Sequence, residues 1–564
     1  MAKIVTLGEI DNRAISALTT PGRRRHPRAG RPFSLEDKFG PLDHADRFYR
    51  VRGGRLISHA SAVRLASRWH QGGISDIHPG IAAGGVMTPA SMATLGFATV
   101  GDPGSGKTTA LVEQLQTTVP LVGLGWGARL LVFDPKGSLL GPIVSLANPD
   151  TAVVCLNPSV KGSAGINVAD MVQNDTDAEQ FMSMLVDSAA SSSAHGHSAQ
   201  SKEEHFWRTV VLVTGGGVVK ILIRIAPGLW DLRDLIGILS KPACWRPLFR
   251  RFPEHRHIVS MVLDNEDKRT TGNLRASIEA SIGPYRTLAA CLHSCPENYR
   301  ISPRQFLKEE VILHLGLRHS ADATVLPLYR FFLHSLSNAI LDTVNAVGSV
   351  KQLLFMILEE AALLRGVNLV PLATNGREAG VSMNVLAQSL PLLFDAFGRE
   401  RTLALLSTLQ HFMAFKCDDE MTAEYVSLRF GSAEGHRYSR GSNKGTNWSR
   451  GPNGMTVGGS QGTSLNEGYV EKRLVMPTEV RNLAMTNREF NPFAEGFAKL
   501  PEAFNATHPF RLHVPTVYAN LPRQIRVLTE ERSAEEQRLT ELDEGDLKRL
   551  GLDGDADFVR AVLS

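Results

Sequence analysis

The stretch GDPGSGKTT, Gly101 to Thr109, constrains the fold of this chain more than any other. It satisfies G-x-x-x-x-G-K-[ST] at every fixed position. Gly101, Gly104 and Gly106 let the backbone turn tightly enough for its N–H groups to converge on an anion. Asp102, Pro103 and Ser105 fill the loop. Lys107, Thr108 and Thr109 open a helix, TTALVEQLQ, whose positive end aims at the same point. Lys107 is then placed to reach β- and γ-phosphates, and the Thr108 hydroxyl to ligate Mg2+. An apolar run, SMATLGFATV (91–100), leads into the loop. Strand, phosphate loop and helix in that order predict an α/β unit that binds ATP with Mg2+.

Other apolar runs fit that unit. ARLLVFDPKG (128–137), TAVVCLNP (151–158), EVILHLGL (310–317), KQLLFMILEE (351–360), VSMNVLAQSL (381–390) and HFMAFKC (411–417) read as buried strands. Strands separated by helix-length segments predict a mostly parallel sheet. Between 176 and 304 the spacing becomes helical, as in AEQFMSMLVDSAA and SKEEHFWRTVVLV. The expected organisation is a nucleotide-binding domain over 76–175 and 305–500, interrupted by an all-α insert domain over 176–304. Residues 1–75 read as a basic, irregular region, and 501–564 as a segment with an acidic tail. Residues 431–468, dense in Gly, Ser and Asn, read as a flexible loop.

In LLFMILEEAALL (353–364) an apolar run ends in two carboxylates, Glu359 and Glu360. That is the form of a Walker B strand. Glu360 stands where a general base polarises the attacking water. Glu359 stands where an Asp would hold Mg2+, directly or through water. The bland reading is an edge strand with a solvated end. The next strand ends in Gln388, a polar amide able to sense a γ-phosphate or simply to start a loop. Arg377, eleven residues earlier, precedes that strand, where an arginine could reach a neighbouring subunit's site.

Composition narrows the class. A chain of 564 residues with 43% apolar and 21% charged residues is an ordinary globular protein of several domains. Net charge is only +4, but the ends differ: PGRRRHPRAGR at 21–31 is basic, and the last stretch is acidic, which suggests docking ends or solvated ones. Five cysteines exclude a disulfide scaffold, and CLHSC (Cys291, His293, Cys295) has no second pair to complete a zinc site. No apolar leader opens the chain. The run TVVLVTGGGVVKILIRIAPGLW (209–230) carries Lys220, Arg224 and three glycines, and reads as a buried helix rather than a membrane span. A cytoplasmic protein is expected.

The order of these motifs resembles the coupling-protein ATPases of type IV secretion and bacterial conjugation. GDPGSGKTT, LLVFDPKGSLL, AGINVADMV with Asn167, HFWRTVVLV with Phe206 and Trp207, ILEEAALL, GREAGVSMNVLAQSL and DDEMTAEYVSLRFG carry the likeness from about 95 to 490. The resemblance implies a hexameric RecA-like P-loop ATPase with a mostly parallel sheet, an all-α domain on one side, and ATP-driven movement of DNA without sequence readout. It implies Lys107, Glu360, Gln388 and Arg377 as catalytic, Arg377 acting in trans. It further implies a relaxase or effector as cargo, and secretion-channel or membrane-anchor subunits as partners at the cytoplasmic face of the inner membrane. Two features depart from the family: no N-terminal transmembrane helices are visible, and Glu359 replaces the usual Asp. A motor for protein effectors, an ATP-bound adaptor with little turnover, a chromosome-segregation translocase and a channel-assembly ATPase are the other readings. The long helical insert argues against the last two.

Overall fold

The computed structural model describes residues 47–71, 80–193, 202–255, 258, 268–317, 322–347, 353–452, 454–487, 489–501, 506–519, 521 and 530–563. The basic patch at 21–31 lies outside them. The strands that matter here are β1 (Arg47–Gly53), β2 (Arg55–Leu56), β3 (Phe97–Val100), β4 (Ala128–Asp134), β5 (Val153–Leu156), β6 (Ile312–Gly316), β7 (Leu353–Leu358), β8 (Val381–Ala387), β9 (His411–Ala414), β10 (Ser432–Gly451), β11 (Gly454–Arg473), β12 (Phe493–Lys499) and β13 (Ala506–His513).

Ten of them form one sheet, in the order β2-β13-β12-β9-β3-β8-β7-β4-β6-β5. The seven from β9 to β5 are parallel, and β12 and β13 add antiparallel at one side. Helices cover both faces, so the central strands are buried throughout; Leu130, Leu131, Val132 and Phe133 of β4 are wholly inaccessible. All seven apolar runs read from the sequence lie in the parallel part. β12 and β13 carry the sheet past residue 500, beyond the expected domain boundary. Their Gly and Pro content hid them.

The all-α unit contains Asp175–Ser193, Lys202–Ile225, Leu232–Ser240, Lys268–Ile282 and Arg286–His293, packed around Phe181, Trp230, Trp245, Phe249 and Tyr285. His205–Ile225 is long and apolar enough to cross a membrane by length and composition. Here Thr214, Val218, Val219 and Leu222 are buried in the unit.

Two expectations are corrected. The acidic tail folds back onto this unit: Leu542, Leu547, Leu550, Leu552, Phe558 and Val562 are buried in its core. Arg549 pairs with the buried Asp234 at 2.7 Å, and Arg233 with Asp546 at 2.8 Å. Counting charges missed leucines at helical spacing behind an Asp543 capping box. Residues 431–468 are not a loop either. β10 and β11 pair over twenty residues each, from Ser432↔Arg473 to Gly451↔Gly454, and β1 joins the base of this ribbon as a third strand. Composition gave too few apolar residues for a core, whereas a ribbon needs only cross-strand pairing.

Candidate nucleotide site

β8 lies between β3 and β7, so whatever follows β8 stands between the phosphate loop and the acid pair. All three ends emerge at the carboxyl edge of the sheet, where open α/β sheets bind ligands. The loop starts wedged between its neighbours: Gly101 N–H donates to Ala387 O (3.2 Å) and Asp102 N–H to Lys416 O (2.8 Å). Gly104 and Gly106 have φ of +76° and +109°. A Cβ on Gly106 would also meet the Ala494 Cβ at 2.4 Å, so glycine is required there both by conformation and by close approach. The helix Lys107–Thr118 begins with no side-chain cap; Thr109 N–H donates to Gly106 O (3.0 Å), and the Lys107 and Thr108 N–H groups are left for an anion. Lys107 donates to the carbonyls of Gly101 and Asp102, the latter at 2.9 Å. Burial, then the like charge of Lys136, brings its pKa down to about 8. Ser105 Oγ is buried without a hydrogen bond. Behind the loop, Asn384 of β8 donates to Gln114 of the helix at 2.5 Å, tying the two together.

At the end of β7 the two glutamates have different environments. Glu359 is buried, and its Oε2 has no protein partner. Burial, then the charge of the hydrogen-bonded Asp134, pushes its pKa up to about 8. Asp134 goes the other way. Burial raises it, but His314 Nε2 at 3.1 Å and the Leu139 N–H at 2.7 Å outweigh that and hold it below the usual carboxylate range. Thr108 and Glu359 offer oxygen donors only, and the orphaned Glu359 Oε2 suits a hard cation such as Mg2+.

Glu360 has φ 52° and ψ 52°, and is the only non-glycine residue in the left-handed region among the described residues. That conformation costs about 1–2 kcal/mol and persists where surrounding contacts impose it, often at functional sites. Its Oε1 accepts from Gln388 Nε2 at 2.8 Å and pairs with Lys136. Burial lowers the Lys136 pKa, but Glu360 outweighs that and leaves it above the ordinary value.

The DDEMTA segment explains itself here. Asp419 caps the helix Glu420–Phe430 through Thr422 N–H (2.7 Å), and Thr422 Oγ1 accepts the Leu390 N–H (2.9 Å), fixing the turn that carries Gln388. Asp418 N–H donates to Asp102 Oδ2 at 2.8 Å, so the same segment grips the phosphate loop.

Gly101, Asp102, Pro103, Gly104, Ser105, Gly106, Lys107, Thr108 and Thr109 share one edge of the sheet with Glu359, Glu360 and Gln388. Arg377 does not join them. It is exposed in the turn before β8, at the opposite end of a seven-residue strand, about 20 Å away.

Sequence reasoning missed several groups. Lys136 and Asp134 stand in DPKG, visible as an apolar strand broken by Asp-Pro, and His314 sits inside a strand. The segment 485–494 gave no signal. It lies on the phosphate loop because β12 runs antiparallel to β9, which returns its first residue to the same edge. Thr486 N–H donates to Gly104 O (3.2 Å), Asn487 and Asn491 bridge each other, and Phe490 between them is 85% exposed.

Residues 80–513 match the family model of the type IV secretion-system coupling protein DNA-binding domain. No curated protein matches in sequence. Among solved structures, the unbound bacterial conjugative coupling protein TrwBdeltaN70 is similar at 19% identity and a TM-score of 0.57, covering 84% of this chain and 96% of that one. TrwB in complex with ADP and Mg2+ is similar at 19% identity and a TM-score of 0.57, covering 83% and 95%. TrwB with the ATP analogue ADPNP matches at 18% and 0.56, covering 87% and 97%. At these identities the likeness of structures establishes the fold, and the family model spans most of the sequence. The chain belongs to the type IV secretion-system coupling protein family.

Proposed function

We propose that this protein is the ATP-driven coupling protein of a conjugation or type IV secretion system, moving DNA toward the secretion channel as a homohexameric ring. The observation that carries the reading is the strained Glu360, held between Gln388 and Lys136 beside the phosphate loop. An acid fixed in a costly conformation by two polar partners suits a base that must orient one water. The loop Gly101–Thr109 cradles the phosphates, and Lys107 exchanges two backbone carbonyls for phosphate oxygens. Thr108 and Glu359 would hold Mg2+, whose charge would favour phosphoryl transfer. Gln388 releases or regains Glu360 as the γ-phosphate comes and goes, and relays that change through the Thr422 contact to the helix Glu420–Phe430. Arg377 reaches the site of the neighbouring subunit. Phe490 and Met485, exposed beside the loop, take the face of the nucleobase. The proteins crystallised with ADP and Mg2+ and with ADPNP share this fold, and support the choice of nucleotide. A relaxase-bound DNA strand is the cargo, delivered at the cytoplasmic face of the inner membrane.

Two variants test the assignment. E360Q binds ATP as tightly as the parent and turns over at least a hundredfold more slowly, by the usual size of a general-base contribution (about 10²–10⁴). K107A loses binding itself. Turnover retained in E360Q would remove the base from this residue and with it the reading of the site.

A further inference from the structure

Beyond Tyr438, where β1 stops pairing, β10 and β11 continue, among the described residues, as a two-stranded ribbon about 40 Å long. A lone ribbon is marginal in water unless something else holds it. Its register sorts the residues into two unlike faces, because directly paired residues share a face and neighbours alternate. One face holds the pairs Ser439↔Asn466, Gly441↔Ser464, Asn443↔Gly462, Gly445↔Ser460, Asn447↔Gly458 and Ser449↔Thr456. Every residue there is Gly, Ser, Asn or Thr. The other face holds Arg440↔Leu465, Ser442↔Thr463, Lys444↔Gln461, Thr446↔Gly459, Trp448↔Val457 and Arg450↔Met455. All cations and all apolar residues of the distal ribbon fall on that second face. No Asp or Glu occurs from Ser439 to Asn466. Trp448 and Val457, opposite one another near the tip, are 66% and 57% exposed.

We infer that this second face is a nucleic-acid contact arm, with Arg440, Lys444 and Arg450 meeting phosphates and Trp448 stacking on an unpaired base. The inference rests on the DNA-translocating reading above and adds the place of contact. The cations stand about 13 and 20 Å apart along one strand, over about 33 Å in all. A linear polyanion meets all three. The Ser, Thr and Gln between them donate to phosphate oxygens without reading sequence. The small-residue face keeps the ribbon slim, and a two-stranded ribbon of this kind fits a major groove as well as it tracks a single strand. The arms of the test separate the two.

The test measures binding of the full chain to a fluorescein-labelled oligonucleotide, single-stranded and as a duplex, over a series of salt concentrations. Neutralising three phosphate contacts in R440Q/K444Q/R450Q flattens the plot of log K against log salt by about 2 for single strands and about 3 for duplex. R440K/R450K keeps the parental slope. W448A leaves the slope unchanged and weakens single-strand binding about 5- to 150-fold, with little effect on duplex. Basal ATP turnover is unchanged in all three, since none touches the nucleotide site. A parental slope in the triple glutamine variant overturns the inference while the parent's DNA binding stands. So does a variant altered only in subunit assembly, or only in sedimentation with anionic vesicles. A parent that binds neither oligonucleotide sinks the translocase reading itself.

Discussion

Met485, Thr486 and Ala494 form a wall pressed on the phosphate loop, and Gly106 is where that can be measured. In G106A the added methyl meets the Ala494 Cβ at 2.4 Å, with the Thr486 Oγ1 at 2.9 Å and the Ala494 Cα at 3.1 Å. Ala494 is buried in a strand and cannot swing aside. The φ of +109° is also closed to alanine. Left-handed strain costs about 1–2 kcal/mol, and an overpacked methyl about 1–3 kcal/mol. Since the loop must leave its cradle conformation to relieve either, nucleotide binding falls by about 2–5 kcal/mol, roughly 30- to 4000-fold. The assay is titration calorimetry with ADP and Mg2+ on G106A, A494G and the double variant. A494G alone binds like the parent. In the double variant the 2.4 Å contact is gone, but the strain and the approaches to Thr486 Oγ1 and Ala494 Cα remain, so only part of the overpacking is relieved and about 1–2 kcal/mol of affinity returns, roughly 5- to 30-fold. Non-additivity of that size is expected only of residues in contact. A double variant no better than G106A would refute the packing of this wall on the loop.

Two further outcomes follow from charges placed elsewhere. Glu113, on the phosphate-loop helix, accepts the Gly85 N–H at 3.1 Å, and burial, against those N–H bonds, pushes its pKa up to about 7. A carboxyl raised above its unfolded value of about 4.3 binds more protons folded than unfolded. Stability therefore falls as pH rises from about 4.3 to 7, by at most ~4 kcal/mol, and levels off above. E113Q flattens the thermal midpoint across that window; an unchanged slope argues against a buried, titrating Glu113. In subunit mixing, R377A and E360Q each lack turnover, but a mixed ring regains part of it, because the E360Q subunit lends its Arg377 to the intact R377A site. A mixture no more active than its parts would return Arg377 to a structural role.

Much of this was legible in the sequence because the central strands are buried on both faces. Their continuous apolar runs, LLVFD, LLFMIL and VSMNVLA, announce themselves, and the loop pattern fixes which strand carries the phosphates. Glu360 and Gln388 were readable as strand ends. Their mutual bond and the left-handed backbone were not, because neither follows from one-dimensional spacing. Lys136 reaches Glu360 only because β4 is the next strand beyond β7, a fact of strand order. The wall at 485–494 depends on an antiparallel return that short-range patterns do not encode. The ribbon was misread because its alternation is small against basic rather than polar against apolar, so hydropathy averaged it to nothing.

On the proposed function, this site burns ATP to act on DNA. Steady-state hydrolysis by the full chain, with and without single-stranded and duplex DNA and with K107A as the blank, tests it most directly. The expected result is turnover that DNA stimulates several-fold and K107A lacks. Tight nucleotide binding with no turnover on either form of DNA would contradict it.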